Sequence, residues 1–147
     1  MHDYTRELAN IEGDVPGSEV ELNVMYLSFL DDDNITCCKL IDANNEFAGF
    51  ALLENLKNDS SAPFDMFIVE SYVRQKSRGQ GILSEIVRKY ILDNKINSVG
   101  YVVLPHNDNA DRYWKKFFAD MKFIVKRDDL VFPPKFSGCK CYLASRF

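Results

Sequence analysis

An apolar β-type run, Met66 to Val73, and an amphipathic run, Ile82 to Ile91, stand on either side of Arg78-Gly79-Gln80-Gly81. Together they predict a strand, a tight turn and a helix, which commits the chain to an α/β fold. Two glycines let the backbone turn sharply and let a ligand approach without Cβ atoms in the way. The helix that follows opens with N–H groups that have no partner within it. Those donors, the positive end of the helix dipole and the Arg78 side chain make the turn a candidate site for a phosphate or pyrophosphate. Neither nucleotide fingerprint is met: the P-loop requires Gly-x-x-x-x-Gly-Lys-Ser/Thr, and the dinucleotide turn requires a third glycine.

The 147 residues, 46% of them hydrophobic, suffice for one domain with a substantial core, and residues 1–147 read as that single domain. Repeats, low-complexity tracts and Pro/Gly/Ser linkers are absent from the sequence. No apolar run is long enough to span a membrane, and the polar start Met1-His2-Asp3-Tyr4-Thr5-Arg6 lacks the apolar core of a signal peptide. A soluble, cytoplasmic protein is expected. A net charge of −4 speaks against a nucleic-acid partner. Arg112, Lys115, Lys116, Lys122, Lys126 and Arg127 nevertheless gather in one region, either to face ligand phosphates or, the commoner role, to solvate a helix face. The cysteines, Cys37-Cys38 and Cys139-Lys140-Cys141, fit no zinc spacing, so no metal is expected. They read as reduced thiols in strands, with a disulfide between the two pairs left open.

Along the chain, Tyr4 to Leu8 reads as a strand and Asp14-Val15-Pro16-Gly17 as a turn; in Ser18 to Leu30, Val20, Leu22 and Val24 alternate like a strand while Val20, Val24 and Leu27 recur like a helix, and Ser18 as an N-cap favours the helix. Ile35 to Ile41 and Phe47 to Leu53 form a hairpin about Asp42-Ala43-Asn44-Asn45-Glu46, and Lys57 to Pro63 is a loop before the third strand. The helix after the glycine turn places Ile82, Ile86 and Tyr90, with Leu83, Val87 and Ile91, on one face and an outward Glu85–Lys89 pair on the other, ending near Asn94. Val99 to Leu104 is a buried strand, parallel to the one before the turn. A second periodic helix from Asp108 carries Ala110, Tyr113, Trp114, Phe117, Phe118 and Met121 in one stripe, and Phe123 to Lys126 and Cys139 to Ala144 supply two last strands.

The turn resembles the acyl-CoA loop of the GNAT (Gcn5-related N-acetyltransferase) superfamily, in which a strand ending in Val leads to Arg/Gln-x-x-Gly-x-Gly/Ala and an apolar helix. Val73 stands five residues before Arg78, as it does there, and Ile86-Val87 fall where the family has its Leu pair. Leu83 departs from the pattern at the site of the second Gly or Ala. The resemblance covers Ile35 to the C-terminus in the order of elements and Val73 to Val87 in specific motif. It implies a mixed, mostly antiparallel twisted sheet with a parallel strand–helix–strand unit at the coenzyme site, flanked by helices. It also implies acetyl-CoA as co-substrate, with contacts from Tyr72, Val73, Arg78, Gly79, Gln80, Gly81, Ile82 and Leu83, and with Asn107 or Asn109 on the pantetheine arm.

The activity so implied is transfer of an acetyl group from acetyl-CoA to a primary amine by direct attack in a ternary complex. The acceptor is a small molecule or a protein amine, and the protein a monomer or a homodimer. Such chemistry needs a deprotonated amine, a polarised carbonyl and a proton for the departing thiolate. The family's strand amide corresponds to Val73 or a neighbour. Glu70 is the candidate base, with Asp65 and His106 as alternatives. For the acid, the family's Asn-x-x-Ala-x-x-x-Tyr pattern counted from Asn107 lands on Trp114, and Tyr113, one residue early, is taken instead. The alternative is a catalytically weak or inactive GNAT-fold module that binds CoA or a protein.

Overall fold

The computed structural model describes residues 32–146. Within them a six-stranded sheet has the order β1-β2-β3-β4-β6-β5, made from β1 (Ile35–Ile41), β2 (Phe47–Asn55), β3 (Met66–Val73), β4 (Ser98–Val103), β5 (Ile124–Arg127) and β6 (Lys140–Ser145). Helix α1 (Ile82–Asp93) links β3 to β4, and α2 (Asp108–Asp120) links β4 to β5. All pairings are antiparallel except β3 with β4. This is the mixed sheet with one parallel strand–helix–strand unit that the motif implied. The predicted strand at Tyr4 to Leu8, the turn at Asp14 to Gly17 and the helix at Ser18 to Leu30 lie outside the described residues.

Local chemistry accounts for the elements. In the β1–β2 loop the Asp42 carboxylate accepts from the amides of Asn44 and Glu46 at 2.9 and 3.0 Å, and Asn45 adopts φ 61°, a left-handed conformation that asparagine tolerates. The Glu46 amide bond is the chief reason that the Asp42 carboxyl titrates below the usual carboxylate range. Helix α2 begins where Asn107 caps it, its side-chain oxygen accepting from Ala110 N–H at 3.1 Å. On α1, Leu83, Val87 and Ile91 are buried, and Ile82, Ile86 and Tyr90 pack against the same core. The outward pair differs from expectation: Lys89 bonds Asp93 one turn further on, at 2.6 Å, instead of Glu85.

Both helices lie over one face of the sheet. Their side chains share a single core with Met66 and Ile68 of β3, Val99, Tyr101 and Val103 of β4, and Tyr142 and Ala144 of β6. Tyr101 is the centre of its aromatic part, with ring centroids 5.2 Å from Phe118, 5.1 Å from Tyr142 and 6.1 Å from Trp114. On the opposite face Phe64, Phe67, Phe132 and Phe136 form a smaller aromatic group that pins the loop between β5 and β6 across β3. Gly100 is bare because the Phe64 ring lies where a side chain would stand. The cysteines are reduced thiols, with Cys37 and Cys38 on β1, Cys141 on β6 and Cys139 just ahead of that strand instead of in it. Four strand spacings, about 19 Å, separate β1 from β6, too far for the disulfide that the sequence left open.

Two substitutions test this packing. A Cβ on Gly49 would overlap the Tyr72 carbonyl oxygen of the neighbouring strand, so Gly49→Ala is expected to lower stability by about 3 kcal/mol in urea unfolding. The Tyr101 hydroxyl is buried without a hydrogen-bond partner, so Tyr101→Phe is expected to leave stability unchanged or raise it by about 1 kcal/mol.

Candidate active site

Strands β3 and β4 are paired at only three positions, Met66 with Val99, Phe67 with Gly100 and Ile68 with Tyr101. Both then continue, β3 to Val73 and β4 to Val103, so the sheet forks at their C-terminal ends. The cause lies in β3. Leu53 pairs with Ile68 but Leu52 pairs with Glu70, which leaves Val69 as a bulge. A bulge twists its strand and shifts the alternation of side chains. Past it, Val73 packs towards the helices, while Glu70 and Tyr72 share the opposite face with their cross-strand partners Leu52 and Phe50.

The fork also decides where backbone groups point. Arg74 N–H donates to Ala48 C=O at 2.7 Å, so by the antiparallel alternation Tyr72 and Glu70 direct their peptide groups to β2. Ser71 and Val73 direct theirs into the fork. Two of these groups are met by side chains of the chain itself: Ser71 N–H donates to Glu70 Oε1 at 3.1 Å, and Arg78 Nε donates to Val73 C=O at 2.8 Å. The five-residue spacing of Val73 and Arg78 therefore has a physical meaning, a clasp across the turn. The Arg78 guanidinium also stands 5.9 Å over the Tyr72 ring.

Between strand and helix, residues Gln75–Ser77 make a single 3-10 turn held against the β1–β2 loop. Lys76 pairs with Glu46 at 2.7 Å, and the buried Ser77 places its hydroxyl 3.5 Å from Asp42. Gly79 and Gly81 then take φ values of 77° and 75°, the left-handed region that glycine enters without strain, and the space outside both is open. The first helical bond runs from Glu85 N–H to Gly81 C=O. The amides of Ile82, Leu83 and Ser84 thus lie at the positive end of α1 with no acceptor in the helix. Gln80 is exposed beside them, and Leu83 turns its side chain into the core, away from the open side of the turn.

The candidate acid comes from α2. Tyr113 is half-buried, and its hydroxyl lies 2.6 Å from Ser84 Oγ in the first turn of α1. Trp114, where strict spacing lands, is buried against Phe117, Phe118 and Tyr101. Burial pushes the Tyr113 hydroxyl above the usual phenol range, opposed by the Ser84 hydrogen bond and the Arg88 charge, so the phenol keeps its proton at neutral pH. Sequence reasoning missed Ser84. Its only signal is a polar residue in the first turn of an otherwise apolar helix face.

The other candidates are placed less favourably. Glu70 and Tyr113 lie on opposite faces of the sheet. Asp65 binds Asn97 N–H at 2.8 Å at the far end of β3, roughly 25 Å of strand from Val73, where it ties the start of β3 to the start of β4. His106 is exposed in the loop before α2. Asn107 is engaged as a helix cap, and Asn109 accepts from Arg112 at 2.6 Å. Within the basic group Lys115 pairs with Asp111, Lys116 with Asp120 and Arg127 with Asp129, the arrangement of a solvated face. Among the described residues no group of side chains is set to hold a metal ion. No helix among them is long and apolar enough to cross a membrane. A polar hollow of about 410 Å³, lined by Asp33, Asn34, Asn55 and Asn94 among others, sits at the C-terminal end of α1, away from the glycine turn.

Residues 3–119 match the family model described as the acetyltransferase (GNAT) family. The chain belongs to the GNAT family. The strand–turn–helix resemblance is thereby confirmed at the level of the family. No curated protein sequence matches the chain. Among solved structures of similar fold, an acetyltransferase from Thermus thermophilus shares 16% identity with a TM-score of 0.62, over 95% of this chain and 82% of that one. Tetrahymena GCN5 shares 11% with a TM-score of 0.63, over 99% and 83%. Spermidine N-acetyltransferase from Vibrio cholerae, solved with CoA and spermine, shares 10% with a TM-score of 0.58, over 90% and 78%. At these identities the likeness is one of fold.

In this GNAT domain the turn glycines are there for conformation, since a Cβ would meet nothing within 4 Å at either. Gly81→Ala is accordingly expected to cost about 1 to 2 kcal/mol in thermal or urea unfolding, the strain of a left-handed alanine.

Proposed function

We propose that the protein is an N-acetyltransferase that moves an acetyl group from acetyl-CoA to a primary amine in a ternary complex. The observation that carries this reading is the meeting of the fork with the positive end of α1, where Gly79 and Gly81 leave open space. Pyrophosphate would lie on the amides of Ile82, Leu83 and Ser84, and the pantetheine arm would enter the fork beside Val73. An amide of the fork, that of Val73 or of its neighbour Ser71, would polarise the thioester carbonyl. Glu70 would take the proton of the attacking amine. Nitrogen then bonds the acyl carbon, the C–S bond breaks with its electron pair on sulfur, and the Tyr113 hydroxyl supplies the thiolate's proton. Residues 1–147 would act as one such domain, alone or as a homodimer. Spermidine is among the first acceptors to try, since a spermidine enzyme of similar fold was solved with CoA and spermine.

A second reading has its own support. Glu70 and Arg78 already satisfy two peptide groups of the fork, and Leu83 stands where the family has Gly or Ala, as in a module that binds CoA without turnover. Thermal melting with and without acetyl-CoA decides whether the coenzyme binds. At about one hundred times its dissociation constant it should stabilise the wild type by roughly 2.7 kcal/mol, a rise of several degrees, and Gly81→Glu should abolish the rise by placing a carboxylate at the pyrophosphate. A flat response in the wild type would sink both readings. Release of free CoA thiol with a panel of spermidine, a lysine peptide and an aminoglycoside separates enzyme from module. In the enzyme, Glu70→Gln should lower kcat by about one-hundredfold and retain the acetyl-CoA shift.

A further inference from the structure

We propose that Ser84 is a positioning residue for proton delivery, holding the Tyr113 hydroxyl at the first turn of α1 so that its proton faces the departing thiolate. The proposal rests on the acetyltransferase reading and adds to it a residue that acts through Tyr113. Three observations carry it. The two oxygens are 2.6 Å apart, although their residues come from different helices. Both side chains are half-buried, and Tyr113 is braced by Trp114 at 4.9 Å and Phe117 at 6.4 Å between ring centroids, so Ser84 selects one position for the hydroxyl. Ser84 also belongs to the turn of helix whose amides border the glycine turn, which places the phenol at the positive end of α1.

The chemistry divides between the two hydroxyls. When the C–S bond breaks, the phenol O–H bond breaks heterolytically and the proton passes to sulfur. The phenolate left behind accepts a hydrogen bond from Ser84 Oγ and recovers a proton from solvent. Among the described residues, the charged group that acts on the phenol is Arg88 of α1, one turn beyond Ser84, whose charge favours the phenolate. Burial acts in the opposite direction and Ser84 opposes burial. Removing Ser84 therefore raises the phenol's titration point, making it a weaker acid whose deprotonation sets in at higher pH.

The experiment uses the full chain, acetyl-CoA and the panel amine with the fastest thiol release. Ser84→Ala should lower kcat about tenfold with the KM for acetyl-CoA unchanged, and shift the alkaline limb of kcat upward by about half a pH unit. Ser84→Thr, which keeps the hydroxyl, should restore both. In a Tyr113→Phe background Ser84→Ala should have no further effect. Titration of 13C-labelled tyrosine by NMR, with Tyr113 assigned from Tyr113→Phe, should show the same upward shift without any acceptor. If Tyr113→Phe is slow but Ser84→Ala leaves the alkaline limb and the NMR titration unmoved, Ser84 has no positioning role and the acid assignment stands. An unchanged kcat in Tyr113→Phe overturns the acid assignment and this proposal together. The acetyl-CoA melting shift reports separately on the acetyltransferase reading.

Discussion

A parallel pair of strands that stops pairing after three residues leaves peptide groups without the ladder that would satisfy them, and much of this molecule is arranged around that break. The bulge at Val69 starts it. By placing one extra residue in β3, it sends Val73 to the helix face and Glu70 and Tyr72 to the other, and turns the peptide groups of Ser71 and Val73 towards β4, which has already diverged. Buried or half-buried peptide groups seek partners. Here two of them take the Glu70 carboxylate and the Arg78 guanidinium. The fork is thereby held open with two of its peptide groups met by side chains of β3 and of the glycine turn.

The glycine turn serves the same place from the other side. A parallel connection must run from the end of β3 to the start of β4, and the helix that makes it begins beside the fork with its positive end. Left-handed Gly79 and Gly81 turn the chain sharply enough for this, and the Arg78 clasp on Val73 closes the loop. Helix α2 packs on the same face through Trp114, Phe117 and Phe118, which leaves Tyr113 on the flank that meets Ser84. Surface ion pairs such as Lys89–Asp93 and Lys116–Asp120 are largely exposed and add little to stability. The aromatic core and the fork geometry are what the fold rests on.

Much of this is legible in the residues. The hairpin about Asp42 to Glu46, β3 from Met66 to Val73 and both helices follow from period and turn chemistry, because an alternating or 3.6-residue pattern is a local property. The outward partner of Lys89 is not legible, since Glu85 and Asp93 stand at equal spacing on either side of it and the sequence offers no means to choose. The position of Cys139 ahead of β6 escapes the sequence for a similar reason, as element ends depend on the partner strand.

What the sequence determined by itself is a GNAT-type order of strands and helices with a two-glycine turn at the start of a helix, because glycine conformations, helix periodicity and helix ends are set within a few neighbouring residues. Only the tertiary structure decided which side chains meet. The fork depends on where β4 leaves β3, the face of Glu70 on a bulge seen only in the pairing with β2, and the contact of the Tyr113 hydroxyl with Ser84 on two helices packed over one core. Each of these is a contact between segments far apart in the chain, whose register is fixed by the burial of a shared core and not by spacing along the sequence.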